Sequence, residues 1–204
     1  MSDNETNDRL KILVTGANGL LGQKIIYGYR FDPEIQLIAT GRGDCRMHEK
    51  DGYIYESMDI SDPSDVQRVI EKHHPDCIIN GAAMTNVDAC ELDHEGCDSA
   101  NVKAVEILAE QCAKHNIHLI QLSTDFIFDG KDGPYSEEAE PNPLSYYGHS
   151  KLKAEEIVKK GSNPWAIIRT VLVIVTATHS QANIVVTCLI RPSCGFSQIS
   201  VAGT

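Results

Sequence analysis

Apolar residues gather in six short runs: KILVTG (11–16), IQLIATG (35–41), YIYESMD (53–59), CIINGA (77–82), HLIQLST (118–124) and WAIIRT (165–170). Several are apolar at consecutive rather than alternate positions, as in strands buried on both faces of a parallel sheet covered by helices. Helical patterns lie between them. SDPSDVQRVIEKHH (61–74) offers Ser61 and Asp62 as caps with Pro63 in the first turn, the order expected at a helix start. NVKAVEILAEQCAKH (101–115) places Val102, Val105, Leu108, Ala109 and Cys112 on one face. Strand, helix, strand, repeated, predicts an α/β fold: a doubly wound parallel sheet with helices on both faces.

DGKDGPYSEEAEPNP (129–143) is rich in Gly, Pro and acids and reads as a loop, and loops beyond the strand ends are where such sheets place ligands. From Ile174 onward no period persists. The chain therefore divides into a polar tail (1–10), one sheet domain (11–173) and an atypical C-terminal segment (174–204) from which no second domain can be drawn.

A length of 204 residues suits one domain, or a domain plus a fragment of another. The net charge of −11 and the lack of a basic stripe argue against nucleic acid as a partner. MSDNETNDRL is polar and acidic, unlike a secretory signal, and no apolar run has the length of a membrane span. A cytoplasmic protein with no membrane partner is expected. Seven cysteines without a CxxC pair suit reduced thiols. Cys90, His94 and Cys97 would share a helix face at i, i+4 and i+7; a metal site there would lack a fourth ligand nearby, and thiols packing on a helix face is the simpler reading.

The first strand runs into TGANGLLGQ (15–23), with Gly16, Gly19 and Gly22 spaced three apart and a helical pattern after them. Glycine there permits a left-handed turn, close approach of a pyrophosphate, and tight packing of helix on strand. The following helix N-terminus faces the phosphates. Strand, turn and helix in that order point to a dinucleotide, with Asn18, Leu20 and Leu21 counted among the contacts of the turn. An acid at the end of the second strand would favour NADH, and an arginine the extra phosphate of NADPH. That strand ends ATGRGD, with Arg42 at the deciding place and Asp44 close by. NADPH is the expected cofactor and NADH the alternative. Asp59 and Ile60, after the third strand, could flank the adenine.

In PLSYYGHSKLKAEE (143–156), Tyr147 and Lys151 stand four apart, which on a helix puts both side chains on one face. An ammonium near a phenol would stabilise the phenolate and bring proton transfer within reach at neutral pH. STDFIFDG (123–130) closes the fifth strand, so Thr124 or Ser123 could hold a substrate carbonyl.

Together TGANGLLGQ, NGAAMTNVDACE (80–91), STDFIFDG, the Tyr147–Lys151 stretch and IIRT resemble the extended short-chain dehydrogenase/reductases, over about residues 11–170. Within them the chain looks most like the dTDP-4-dehydrorhamnose reductase group. The resemblance implies a Rossmann-like fold in which Gly16, Gly19 and Gly22 cradle the pyrophosphate and Ala82 and Ala83 border the cofactor. It further implies that Thr124 orients the substrate while Tyr147 and Lys151 do the proton work. Phe126 stands where that group usually has a tyrosine. The implied reaction reduces the C4 ketone of a nucleotide sugar, dTDP-4-dehydro-L-rhamnose, to dTDP-L-rhamnose. Most of the group's sugar-binding region lies after the sixth strand, so 174–204 is expected to be only a remnant of it.

Two alternatives stay open: a non-catalytic NADP-binding regulatory subunit similar to that of methionine adenosyltransferase, and a nucleotide-sugar epimerase or dehydratase. The resemblance leaves room for a homodimer and for Mg²⁺ at a subunit contact. Glu137, Glu138 and Glu140 could serve a metal, but a solvated acidic loop is the simpler reading.

Overall fold

The computed structural model describes residues 9–170, together with the backbone of Ile174–Val175, Ile184–Val185 and Cys188–Pro192. The six expected strands are β1 (Leu10–Thr15), β2 (Ile35–Gly41), β3 (Ile54–Ser57), β4 (Cys77–Asn80), β5 (His118–Thr124) and β6 (Trp165–Thr170). They pair in the order β3-β2-β1-β4-β5-β6, all parallel. Successive crossovers leave β1 toward β2 on one side and return toward β4 on the other, so a crevice opens at the carboxyl ends of β1 and β4.

The runs of consecutive apolar residues have the expected cause. Leu13 and Ile38 point into one core with Ile78, Leu108 and Val158. Their neighbours Val14, Leu37 and Ala39 point into another with Ala17 and Ile26. Each strand is covered on both faces, as a parallel sheet requires.

The helices covering the sheet are α1 (Leu20–Tyr29), α2 (Pro63–His73), α5 (Ala104–His115) and α6 (Tyr146–Lys160). Helix α2 starts as expected: Asp62 accepts hydrogen bonds from the Ser64 and Asp65 amides, and Pro63 fills the first position. Such a cap satisfies donors that the first turn leaves unpaired.

Between β4 and α5 the structure differs from a single helix. Two short helices, α3 (Val87–Leu92) and α4 (His94–Asp98), are capped separately by Asn86 and Asp93. A π-helical turn over Ser99–Lys103 follows, where the regular helix was expected to have begun. Inside that turn the buried Asn101 amide bonds the Met84 backbone and the Ser150 hydroxyl. Because the chain breaks at Asp93, Cys90, His94 and Cys97 do not share one helix face. Cys90 and Cys97 are buried against Tyr147, and His94 stacks on Tyr146 with ring centroids 3.7 Å apart.

The segment 129–143 is a loop, as expected. Most of 174–204 lies outside the described residues. Within it, β7 (Ile174–Val175) pairs with β8 (Ile184–Val185), and β9 (Cys188–Pro192) adds an antiparallel strand to β6, which the sequence did not foretell. Among the described residues no helix is long and apolar enough to cross a membrane.

Candidate active site

A cleft of about 860 Å³ lies over the carboxyl ends of the central strands. Its wall includes every residue expected to meet a cofactor: Gly16, Asn18, Gly19, Leu20, Leu21, Gly22, Arg42, Asp59, Ile60, Ala82, Ala83, Tyr147 and Lys151. Beneath it, a buried polar chain ties three strand ends together. The Thr15 hydroxyl donates to Asn80 at 2.6 Å, the Asn80 amide to Gln121 at 2.8 Å, and the Ala82 amide to Thr15 at 3.2 Å. Sequence reasoning missed this chain, since polar residues late in apolar runs look like strand ends rather than a floor.

The glycine turn fits a pyrophosphate. Gly16 holds φ 67°, and a Cβ there would come within 2.9 Å of the Gly81 and Ala82 backbone. At Gly22 a Cβ would sit 2.4 Å from the Gly16 carbonyl oxygen, so helix and turn touch backbone to backbone. Whereas α2 and α6 are capped by Asp62 and Ser145, α1 begins at Gly19 with no side-chain cap and no acid in its first turn. Its amides and the positive end of its dipole are left to an anion in the cleft.

At the end of β2, Arg42 reaches the wall exposed, and Arg46, which the sequence reading passed over, joins it. The loop carrying them is latched by Asn18. That side chain accepts from the Arg46 amide at 2.8 Å and donates to the Asp44 carbonyl at 3.2 Å and the Tyr55 hydroxyl at 3.0 Å. Tyr55 in turn bonds the Gly41 and Gly43 carbonyls. Asp44 is thus joined to the turn through its backbone. The Asp59 carboxylate is occupied by the amide and hydroxyl of Ser61.

Helix α6 brings Tyr147 and Lys151 to the cleft, seated by Gly148, where a Cβ would meet the Phe126 carbonyl at 2.4 Å. The expected lowering of the Tyr147 phenol by the Lys151 ammonium is not found; the shift is upward. Burial pushes the Tyr147 phenol above its usual range, with a hydrogen bond from Thr124 working the other way. Lys151 is 4% exposed and donates to the Leu122 carbonyl at 2.7 Å. Thr124 itself is buried and off the cleft wall, its hydroxyl accepting from the Phe126 amide and donating to the Asp125 carboxylate, both at 3.2 Å. Ser123 reaches the wall, but its hydroxyl donates to Glu155 at 2.7 Å.

Burial pushes the Lys151 ammonium down to about 8 from the usual 10.5, against the opposing pull of Glu155. Below that window both folded and unfolded chains hold the proton. Within it only the unfolded chain does, so this group makes folding more favourable as pH rises. The native chain should therefore gain stability over Lys151→Met across that window, read as the difference in urea midpoints. A pH-independent difference would contradict the buried lysine.

Strand order, glycine turn and the Tyr147–Lys151 pair on one cleft define the architecture of the extended short-chain dehydrogenase/reductases. More narrowly, the chain belongs to the RmlD substrate binding domain family, whose model matches residues 10–195. A dTDP-4-dehydrorhamnose reductase of Aggregatibacter actinomycetemcomitans is 35% identical over 161 residues, 78% of this chain and 50% of that one. Methionine adenosyltransferase 2 subunit beta of Bos taurus is 33% identical over 159 residues, 78% of this chain and 46% of that one. The crystal structure of dTDP-4-dehydrorhamnose reductase from Bacillus anthracis in complex with NADP aligns with a TM-score of 0.69. It is 29% identical and covers 84% of this chain and 56% of that one. The chain spans about half the length of the curated relatives it matches.

Proposed function

We propose that residues 11–173 form a domain that binds NADPH, and that the chain reduces the C4 ketone of dTDP-4-dehydro-L-rhamnose to dTDP-L-rhamnose. The observation that carries this reading is the meeting of the glycine turn, the two arginines and the Tyr147–Lys151 pair on one cleft. When bound, the reduced dinucleotide supplies a hydride to the carbonyl carbon. Tyr147 gives its proton to the carbonyl oxygen, and its raised pKa means that it holds that proton at neutral pH. Lys151 stabilises the phenolate left behind until water returns the proton. Thr124, beside the phenol at the end of β5, helps to place that donor. Arg42 and Arg46 hold the phosphate that distinguishes NADPH from NADH. The free thiols of Cys45, Cys77, Cys90, Cys97 and Cys112 suit a reducing, cytoplasmic setting.

The test is NADPH oxidation on adding dTDP-4-dehydro-L-rhamnose to the chain. Fluorescence titrations with NADPH and NADH run alongside, for native chain and Arg42→Ala/Arg46→Ala. Oxidation, together with a preference for NADPH that the double substitution erases, is expected. Equal affinity for the two cofactors in the native chain would sink the arginine assignment.

The likeness to the methionine adenosyltransferase subunit favours a second reading, an NADP-binding regulatory subunit. NADPH binding without turnover, and a changed synthetase rate on adding the chain, would favour it over the reductase.

A further inference from the structure

Glu155 lies on α6 one turn beyond Lys151, is 0% exposed, and takes no part in the chemistry above. Its carboxylate is gripped from three elements. Arg169 of β6 donates through Nε at 2.9 Å and Nη2 at 2.7 Å, the Ser123 hydroxyl of β5 at 2.7 Å, and Lys159 of α6 at 3.1 Å. Burial alone would raise this carboxyl, yet the bonds from Arg169 and Ser123 outweigh it and hold the group ionised.

The two side chains reach adjacent residues of one strand. Lys151 bonds the carbonyl of Leu122, and Glu155 the hydroxyl of Ser123. Positions four apart on a helix are neighbours, and here both are turned inward onto β5. The groups facing Lys151 are Tyr147 and Glu155 on its own helix, Cys97 on α4 and the Leu122 carbonyl on β5. Of these only Glu155 is a carboxylate, held ionised by its bonds from Arg169 and Ser123. A buried ammonium without a counter-charge loses its proton.

We propose that Glu155 is a positioning residue for Lys151: from its buried seat it supplies the counter-charge that keeps the lysine an ammonium against the Leu122 carbonyl. Its bonds to Arg169 and Ser123 fix where that charge stands. The inference deepens the reductase reading, because it concerns the lysine that reading uses.

The test needs no turnover. The full chain is labelled with 13C and 15N lysine, the Lys151 side-chain resonance is identified by its loss in Lys151→Met, and its protonation is followed against pH. Glu155→Gln should raise its acid dissociation constant by about tenfold or more, and Glu155→Asp should restore most of the native value. If Glu155→Gln fails to fold because Arg169 is left buried and unpaired, Glu155→Gln/Arg169→Gln takes its place with the same direction expected. An unchanged midpoint in either folded variant overturns the proposal. Absence of NADPH turnover in the native chain would instead overturn the reductase reading and leave this titration standing.

Discussion

Replacing Tyr147 with phenylalanine is expected to lower carbonyl reduction by about 10²- to 10⁴-fold, the range supplied by a positioned proton donor, with NADPH affinity little changed. The ring is seated by packing. It lies in a buried cluster with Cys90 and Cys97 and makes an edge contact with Phe126 at 5.9 Å between centroids. Phenylalanine keeps those contacts and removes only the hydroxyl, which stands beside Thr124. Steady-state rates with dTDP-4-dehydro-L-rhamnose and a parallel fluorescence titration with NADPH separate the two effects. A variant that turns over at the native rate would mean that another group, or water, delivers the proton. A variant that loses NADPH binding would mean that the phenol serves the cofactor instead.

The second large effect belongs to Gly22. In Gly22→Ala the new methyl would stand 2.4 Å from the Gly16 carbonyl oxygen and 2.6 Å from the Ala17 Cα. Both are backbone atoms, and no rotamer change can relieve the clash. Helix α1 must then lift from the turn, carrying its uncapped amides away from the anion they would hold. Overpacking of this kind costs about 1–3 kcal/mol, and NADPH binding should be lost with it. Gly28 is the matching control within the same helix, because a Cβ there meets nothing within 4 Å. Gly28→Ala should stabilise the chain by about 0.5–1 kcal/mol and leave binding intact. Urea midpoints and NADPH titrations of the two variants read the contrast directly, and a Gly22→Ala variant that keeps NADPH binding and gains stability as Gly28→Ala does would contradict the tight contact of helix and turn.

Much of the architecture was legible because its signals are local. Leu13 beside Val14, or Leu37 beside Ile38, announces a strand with two buried faces, and Asp62-Pro63 announces a helix start. The glycine turn and the Tyr147–Lys151 spacing are equally local, and the structure brings them to one cleft. What stayed hidden depends on partners far apart in the chain. Nothing near Asn101 says that its amide will meet Met84 and Ser150 inside a π turn, and nothing near Asn18 says that it will latch the loop of Arg46. The break at Asp93 escaped notice because Cys90, His94 and Cys97 satisfy helical spacing on both sides of it. Thr124 and Ser123 could not be told apart by sequence, since adjacent residues at a strand end differ only in which side of the sheet they face. Their neighbours decide: Ser123 turns to Glu155 and Thr124 to Tyr147.

The grip of Arg169 on Glu155 also makes the seat of α6 depend on the strand after it. Helix α6 is complete at Lys160, but the guanidinium that satisfies its buried carboxylate arrives only with β6. A chain ending before β6 would leave the buried Glu155 carboxylate with Ser123 and Lys159 but without its bidentate guanidinium, which makes the seat of α6 on the sheet less stable. Through Arg169, strand β6 acts as a clasp that holds α6 to the sheet by its one fully buried carboxylate among the described residues.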